Sequence, residues 1–269
     1  HLFERRGYLA GMDKQRAADV NAMFEDKSVD GIFCLRGGYG SPRILPYLIY
    51  DTIRNNPKAI IGYSDVTALL NAIYAKTGLI TFHGPIAGQR FSDYTVASFK
   101  KVLFEPQANI KLAEAPPFEE KEGWVERDNR LTTIVPGKAQ GRLIGGSLTL
   151  MAVLVGTPYE PDYRGKILFL EDVSEAPYKV DRMLTHLTLA GRLQQVAGVV
   201  FGKCTKCGSS GNSLSMEQVL YDHLEPLGIP VVRGAMIGHI DDMATIPIGA
   251  KAEINTADGP INLLEKAVG

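Results

Sequence analysis

Hydrophobic positions along this chain come in two alternating kinds of stretch: short unbroken apolar runs, and longer segments in which apolar residues recur every three or four positions. The runs Gly31-Ile-Phe-Cys-Leu35, Ala59-Ile-Ile-Gly62, Ile80-Thr-Phe-His83, Lys166-Ile-Leu-Phe-Leu-Glu171, Gly198-Val-Val-Phe-Gly202 and Ile229-Pro-Val-Val-Arg-Gly234 predict strands buried on both faces. The periodic segments predict helices. Asp13 caps one that runs to Asp26 with Val20, Met23 and Phe24 on its apolar stripe, and a shorter one falls near Arg43 to Tyr50. After Ser64, the residues Val66, Leu69, Leu70 and Ile73 follow the i, i+3, i+4, i+7 spacing, and Gly78 stands where that helix should stop. A further helix, Glu175 to Ala190, aligns Val180, Met183, Leu184 and Leu187, while Ser215-Met-Glu-Gln218 has capping-box spacing at the start of another. Strand, loop, helix, strand in succession marks a parallel α/β layer, whose ligands collect at the C-terminal ends of the strands.

This rhythm lapses between about Asn109 and Gln140. Ala115-Pro-Pro-Phe-Glu-Glu-Lys-Glu-Gly-Trp124 and Val135-Pro-Gly-Lys138 are rich in Pro, Gly and charge, as an inter-domain connection would be. The chain is therefore expected to divide into an N-terminal domain over residues 1–110, a linker over 111–139 and a C-terminal domain over 140–269. The expected fold class is α/β, with a Rossmann- or flavodoxin-like parallel sheet first, a smaller α/β domain second and a cleft between them. Trp124, the one tryptophan, lies in the linker, where it either anchors packing or touches a substrate across that cleft.

Composition narrows the picture. A chain of 269 residues with 45% hydrophobic and 22% charged positions is an ordinary globular protein with room for two cores. Its formal net charge of -1 gives no pull toward nucleic acid or an anionic membrane surface. No apolar run approaches the roughly 18 residues of a spanning helix. Three cysteines make no disulfide framework. Cys34 lies in an apolar strand, and Cys204-Thr-Lys-Cys207 lacks the second pair that zinc would need, so a reduced, cytoplasmic setting is expected. Arg36-Gly-Gly-Tyr-Gly40 is neither a G-x-G-x-x-G fingerprint nor a Walker loop, and no metal or cofactor is expected.

Candidate chemistry begins at Ser64. It sits on the turn between a strand and a helix, its hydroxyl off the sheet edge and near the first helical N–H groups, that of Asp65 among them. Serine there can be an N-cap or a nucleophile, and Gly62-Tyr-Ser64-Asp-Val66 departs from the G-x-S-x-G elbow. The glycines after Leu35 read either as a plain turn or as a backbone cradle for an oxyanion. Ser147 competes with Ser64 by local pattern, with a cap as its expected role. Glu171 ends an apolar strand, where an acid needs a partner. His83 ends another strand near the same edge as Ser64, whereas His186 and His223 lie on helices and read as structural. His239, on a loop with acids nearby, suits a hydrogen-bonded imidazole. One Ser, one Glu and one His are what a relay needs: the imidazole takes the hydroxyl proton, and the carboxylate fixes its tautomer.

Six segments spread in order over nearly the whole chain carry a resemblance. Arg36-Gly-Gly-Tyr-Gly-Ser-Pro-Arg43, Ile61-Gly-Tyr-Ser-Asp65, Phe82-His-Gly-Pro85, Leu168-Phe-Leu-Glu-Asp172, Val180-Asp-Arg-Met-Leu184 and Gly238-His-Ile-Asp-Asp-Met-Ala-Thr-Ile-Pro-Ile-Gly249 resemble the muramoyl-tetrapeptide (L,D-)carboxypeptidases. These are serine peptidases, and their family also contains the microcin C self-immunity proteins. The resemblance implies Ser64 as nucleophile, His239 as general base, Glu171 as its orienting acid, and the backbone N–H groups of Gly38 and Asp65 as the oxyanion hole. It implies release of the terminal D-alanine from a murein tetrapeptide without a metal, by a cytoplasmic homodimer that recycles peptidoglycan. The runner-up it implies is an immunity-type hydrolase of aminoacyl-adenylate analogues, for which Trp124 would offer an aromatic platform. A two-domain binder of small ligands is the reading from another class. Arg36, Arg90, Arg233 and backbone groups all compete for the substrate's terminal carboxylate. Family members begin with a further strand and helix ahead of the region matching Gly7-Tyr-Leu-Ala-Gly11, so the first domain is expected to lack that unit.

Overall fold

The structure is a computed structural model that describes residues 1–117 and 129–269. Two sheets organise it. In the first, β1 (Gly31–Phe33), β2 (Ala59–Gly62) and β3 (Thr81–His83) run parallel in that order, and β10 (Ile246–Ile248) closes the edge antiparallel to β3. Ile60, Phe82 and Ile246 are buried at its centre, as unbroken apolar strands covered on both faces require. Around it lie α1 (Asp13–Glu25), α2 (Ser41–Ile44), α3 (Tyr50–Asn55), α4 (Thr67–Thr77) and α5 (Asp93–Leu103).

The second sheet has a parallel centre of β6 (Lys138–Ser147), β7 (Ile167–Val173), β8 (Gly198–Thr205) and β9 (Val231–Arg233). Antiparallel strands extend both sides: β11 (Lys251–Asn255), β12 (Gly259–Leu263) and β4 (Ile110–Leu112) beyond β6, and β5 (Thr132–Val135) beyond β9. Its helices are α6 (Leu148–Leu154), α7 (Pro177–Leu189) and α8 (Met216–Leu224). His223 Nε2 meets Asp181 Oδ1 at 2.8 Å and ties α8 to α7, the structural role expected of it.

The mixed α/β architecture with parallel strands is the one read from the sequence, but the relative size of the sheets is reversed. The second carries eight strands and the first four. The surplus comes from strands the local pattern did not announce: β4 falls where the first domain was expected to end, and β5 lies in the stretch read as linker. Nor do the sheets divide the chain at one point, because β10 returns from the second half to pair with β3. Trp124 lies outside the described residues. Near the start, Met12 rather than Asp13 is the cap of α1, because the Asp13 carboxylate is taken by the guanidinium groups of Arg16 and Arg43. Cys204 and Cys207 form a disulfide where free thiols were expected, while Cys34 remains free with its thiol pushed up to about 12 by burial. Among the described residues no helix is long and apolar enough to cross a membrane.

Buried hydrogen bonds join the helix after Ser64 to the second sheet. The Asn71 side chain, fully buried on α4, donates to Gly145 O at 2.8 Å and accepts from Gly145 N–H at 3.2 Å. One turn earlier, Thr67 Oγ1 accepts from the N–H of Ser147 at 3.1 Å. The helix that follows Ser64 is thereby fastened to the C-terminal end of β6.

Candidate active site

β2 ends at Gly62, Tyr63 is extended, and Ser64 then turns into the left-handed region at φ 62° before a short 3-10 turn, Ser64–Val66, leads into α4. A positive φ is uncommon for serine and is held here by the surrounding packing. It also excludes the N-cap reading. A cap needs extended backbone to aim its oxygen at the helix's free N–H groups, and the N-cap positions of the 3-10 turn and of α4 are Tyr63 and Val66, not Ser64. Ser147, extended at φ -60°, ψ 124°, does cap α6 by accepting from Leu150 N–H, so the two serines separate as a cap and a free hydroxyl.

The glycine-rich loop packs directly on that hydroxyl. A Cβ on Gly37 would lie 2.8 Å from Ser64 Cβ and 3.0 Å from Ser64 Oγ, so no larger residue fits. The loop is held in place by Asp65. Its buried carboxylate accepts from the N–H of Gly40 at 3.2 Å and of Ser41 at 2.7 Å, a role its sequence position did not announce. As second residue of the 3-10 turn, Asp65 has one of the backbone N–H groups that a helix start leaves unpaired. Gly38 is exposed at φ 118°, with the Arg36 guanidinium 3.3 Å from where its Cβ would stand.

Across the site, Glu171 is fully buried on β7, and its Oε2 meets His239 Nδ1 at 2.8 Å. Burial pushes the Glu171 carboxyl above its ordinary range, and the imidazole hydrogen bond opposes that rise. Its neighbour Asp172 points to the other face, where it accepts from both the N–H and the hydroxyl of Thr149 at 2.8 Å. The two acids that end β7 thus split into one facing the site and one anchoring α6. The His239 loop is seated on β8 by a bond from Lys203 N–H to Ile237 O at 2.8 Å. Gly238 then adopts φ 132°, and a Cβ there would come within 3.1 Å of Glu171 Oε2. With Nδ1 turned to the carboxylate, Nε2 is the nitrogen left for base chemistry.

Tyr63 links the two sides. Its ring lies 4.8 Å, centroid to centroid, from the His239 ring, and it directly precedes Ser64 in the chain. The Glu171–His239 pair therefore lies against the residue that precedes Ser64. His83 lies behind them, fully buried against Tyr63 and Phe169, and burial pushes its imidazole down to about 3. His186 is exposed on α7. Of the arginines, Arg233 is paired with Glu217 at 2.6 Å, Arg90 is exposed, and Arg36 sits over the loop that covers Ser64. Tyr63 and the Asp65 carboxylate escaped the sequence reading. Both lie within Gly62-Tyr-Ser-Asp65, so their adjacency to Ser64 was the one signal available.

Residues 1–84 match the N-terminal domain of the LD-carboxypeptidases and residues 140–254 match their C-terminal domain. The chain belongs to the LD-carboxypeptidase family. As an LD-carboxypeptidase it is a serine carboxypeptidase, a hydrolase of peptide bonds. Among its relatives, a probable murein peptide carboxypeptidase of Bacillus subtilis is 42% identical over 265 residues, covering 96% of this chain and 78% of that one. Two solved structures share the LD-carboxypeptidase fold. The microcin immunity protein MccF in complex with glutamyl sulfamoyl guanosine matches with a TM-score of 0.89 at 33% identity, over 99% of this chain and 85% of that one. Muramoyltetrapeptide carboxypeptidase from Oxalobacter formigenes matches with a TM-score of 0.80 at 28% identity, over 96% and 86%.

Proposed function

We propose that this carboxypeptidase releases the terminal D-alanine from murein tetrapeptides through an acyl-enzyme on Ser64, as a cytoplasmic homodimer in peptidoglycan recycling. The observation that carries this reading is the 2.8 Å Glu171–His239 bond beside Tyr63, next to a serine whose backbone leaves its hydroxyl uncommitted. Ser64 Oγ attacks the carbonyl carbon of the amide that joins the L-centre of diaminopimelate to D-alanine, and its proton passes to His239 Nε2. The buried Glu171 carboxylate stabilises the resulting imidazolium. The N–H groups of Gly38 and Asp65 receive the oxyanion. Collapse of the tetrahedral intermediate breaks the C–N bond, with the proton returning from His239 to the departing amine. Water, deprotonated by the same imidazole, then cleaves the ester and frees Ser64. Arg36, over the loop beside Ser64, is the best placed of the three candidate arginines to meet the substrate's terminal carboxylate.

The test is D-alanine release from a diaminopimelate-containing tetrapeptide by the purified protein, with Ser64→Ala alongside. Release by the parent and a loss of at least about 10³-fold in the variant is expected. The likeness to MccF, solved with glutamyl sulfamoyl guanosine, favours a second reading, hydrolysis of aminoacyl-adenylate analogues. A folded parent that releases no D-alanine but cleaves an aminoacyl sulfamoyl adenosine in a Ser64-dependent way would replace the first reading with the second.

A further inference from the structure

His83 has no part in the steps above, yet its position is hard to account for as packing alone. It is fully buried at the end of β3, and neither ring nitrogen has a partner among the described residues. A buried imidazole without hydrogen bonds is costly, and aromatic or aliphatic side chains of similar size would fill the space better. Its surroundings are specific. The ring meets Phe169 edge-on at 5.4 Å and Tyr63 at 6.1 Å, and its Nδ1 would be 3.2 Å from a Cβ on Gly146. Phe169 and Glu171 are alternate residues of β7 in unbroken register with β6, so their side chains leave the same face of the strand. Glu171 Oε1, on that face, is also buried and without a partner among the described residues, as is Thr245 Oγ1 beside β3. A fully buried carboxylate with a single hydrogen bond needs further donors to stay ionised.

We propose that His83 is a positioning residue for the reaction: its neutral ring and Glu171 Oε1 share bound water, and the hydrogen bond so formed fixes the carboxylate that orients His239. This rests on Glu171 and His239 acting as described under the proposed function. The titratable groups around His83 are Tyr63 from the turn after β2 and His239 from its loop, with Glu171 next along the face of β7 that carries the Phe169 its ring meets.

His83→Phe keeps the ring and removes both polar atoms, whereas His83→Gln keeps a donor. The expected result in the D-alanine assay is that His83→Gln stays within about threefold of the parent kcat, while His83→Phe loses about tenfold or more with KM within about twofold. His83→Phe should melt no lower than the parent, and the acidic limb of its kcat/KM profile should move to higher pH, because Glu171 has lost a donor to its charged form. Parent-like kcat and acidic limb in His83→Phe would overturn the proposal, as would equal losses of kcat and Tm in both variants. Should His83→Phe not fold, 15N-labelled parent at pH 6 decides: a neutral His83 ring with one N–H protected from exchange is expected, and a doubly protonated or freely exchanging ring overturns it. If the protected neutral ring is found while the parent hydrolyses neither substrate, it is the catalytic reading that falls.

Discussion

β2 and β7 each deliver a polar side chain to the same place, by opposite means. β2 is a four-residue strand of the smaller sheet, and Ser64 lies just past its end, partly exposed, on strained backbone. β7 is a seven-residue strand in the middle of the larger sheet, with β6 and β8 on either side, and Glu171 lies within it, wholly buried, in unbroken register with β6 and at the point where the pairing with β8 shifts. On the proposed mechanism the nucleophile side is thus a turn that must be held, and the acid side a strand fixed by a neighbour on each flank. Holding the turn falls to neighbours: Gly37 against the hydroxyl, the Asp65 carboxylate on the loop, and Asn71 tying α4 to β6.

The contrast can be broken most sharply on the acid side. Glu171→Gln keeps the shape of β7 but can no longer stabilise an imidazolium, so kcat for D-alanine release should fall by about 10³ to 10⁴, as for amide replacements of triad acids. A melting temperature near the parent's would mark the loss as chemical. On the nucleophile side, Gly37→Ala drives a methyl to within 2.8 Å of Ser64 Cβ, and the displaced hydroxyl should lower kcat by about 10². Parent-like activity in that variant would mean that the loop yields, and that Ser64 is not held from this side.

Smaller effects sharpen the comparison. Asn71→Ala strands the buried N–H and C=O of Gly145 and should lower unfolding free energy by about 2 to 3 kcal/mol, read from urea titration. Loss of kcat beyond the change in folded fraction would show that the clamp between α4 and β6 also aims the nucleophile. The last effect, the smallest over any one pH unit, is in pH. Burial lowers the His83 pKa from 6.5 to about 3, so between those values the unfolded chain binds a proton that the folded one does not. Unfolding free energy must then rise with pH across that window, and stability is lost at roughly 1 kcal/mol per unit as pH falls below 6.5. Subtracting the curve for His83→Phe should remove that slope. An unchanged slope would mean that His83 titrates normally in the fold.

What was legible in the sequence is what short-range patterns encode. The bounds of β2, the glycine stop of α4 in left-handed conformation and the Ser215 capping box of α8 all depend on residues within a few positions of each other, and all appear as read. The six motifs pointed to Ser64, Glu171 and His239, and Glu171 and His239 are hydrogen-bonded. Three kinds of feature stayed hidden. Ser64 could not be told from a cap, because a dihedral set by Gly37 and Asp65 is invisible to composition. The side-chain role of Asp65 depends on a loop folding back from an earlier part of the chain. β10, only three residues with a proline at its centre, has no periodicity to announce it, and it pairs because β3 offers an open edge.

That late-arriving strand has a consequence for how the protein is made. β3 has left the ribosome long before Ile246-Pro-Ile248 is added, an interval on the order of ten seconds or more at ordinary elongation rates. Until then the sheet whose edge carries Ser64 has an unpaired flank, and His239, the proposed base, is added only shortly before that strand. On the proposed mechanism a growing chain in a cell full of peptides therefore carries only a dormant serine, and hydrolytic competence comes with the last strand of its sheet.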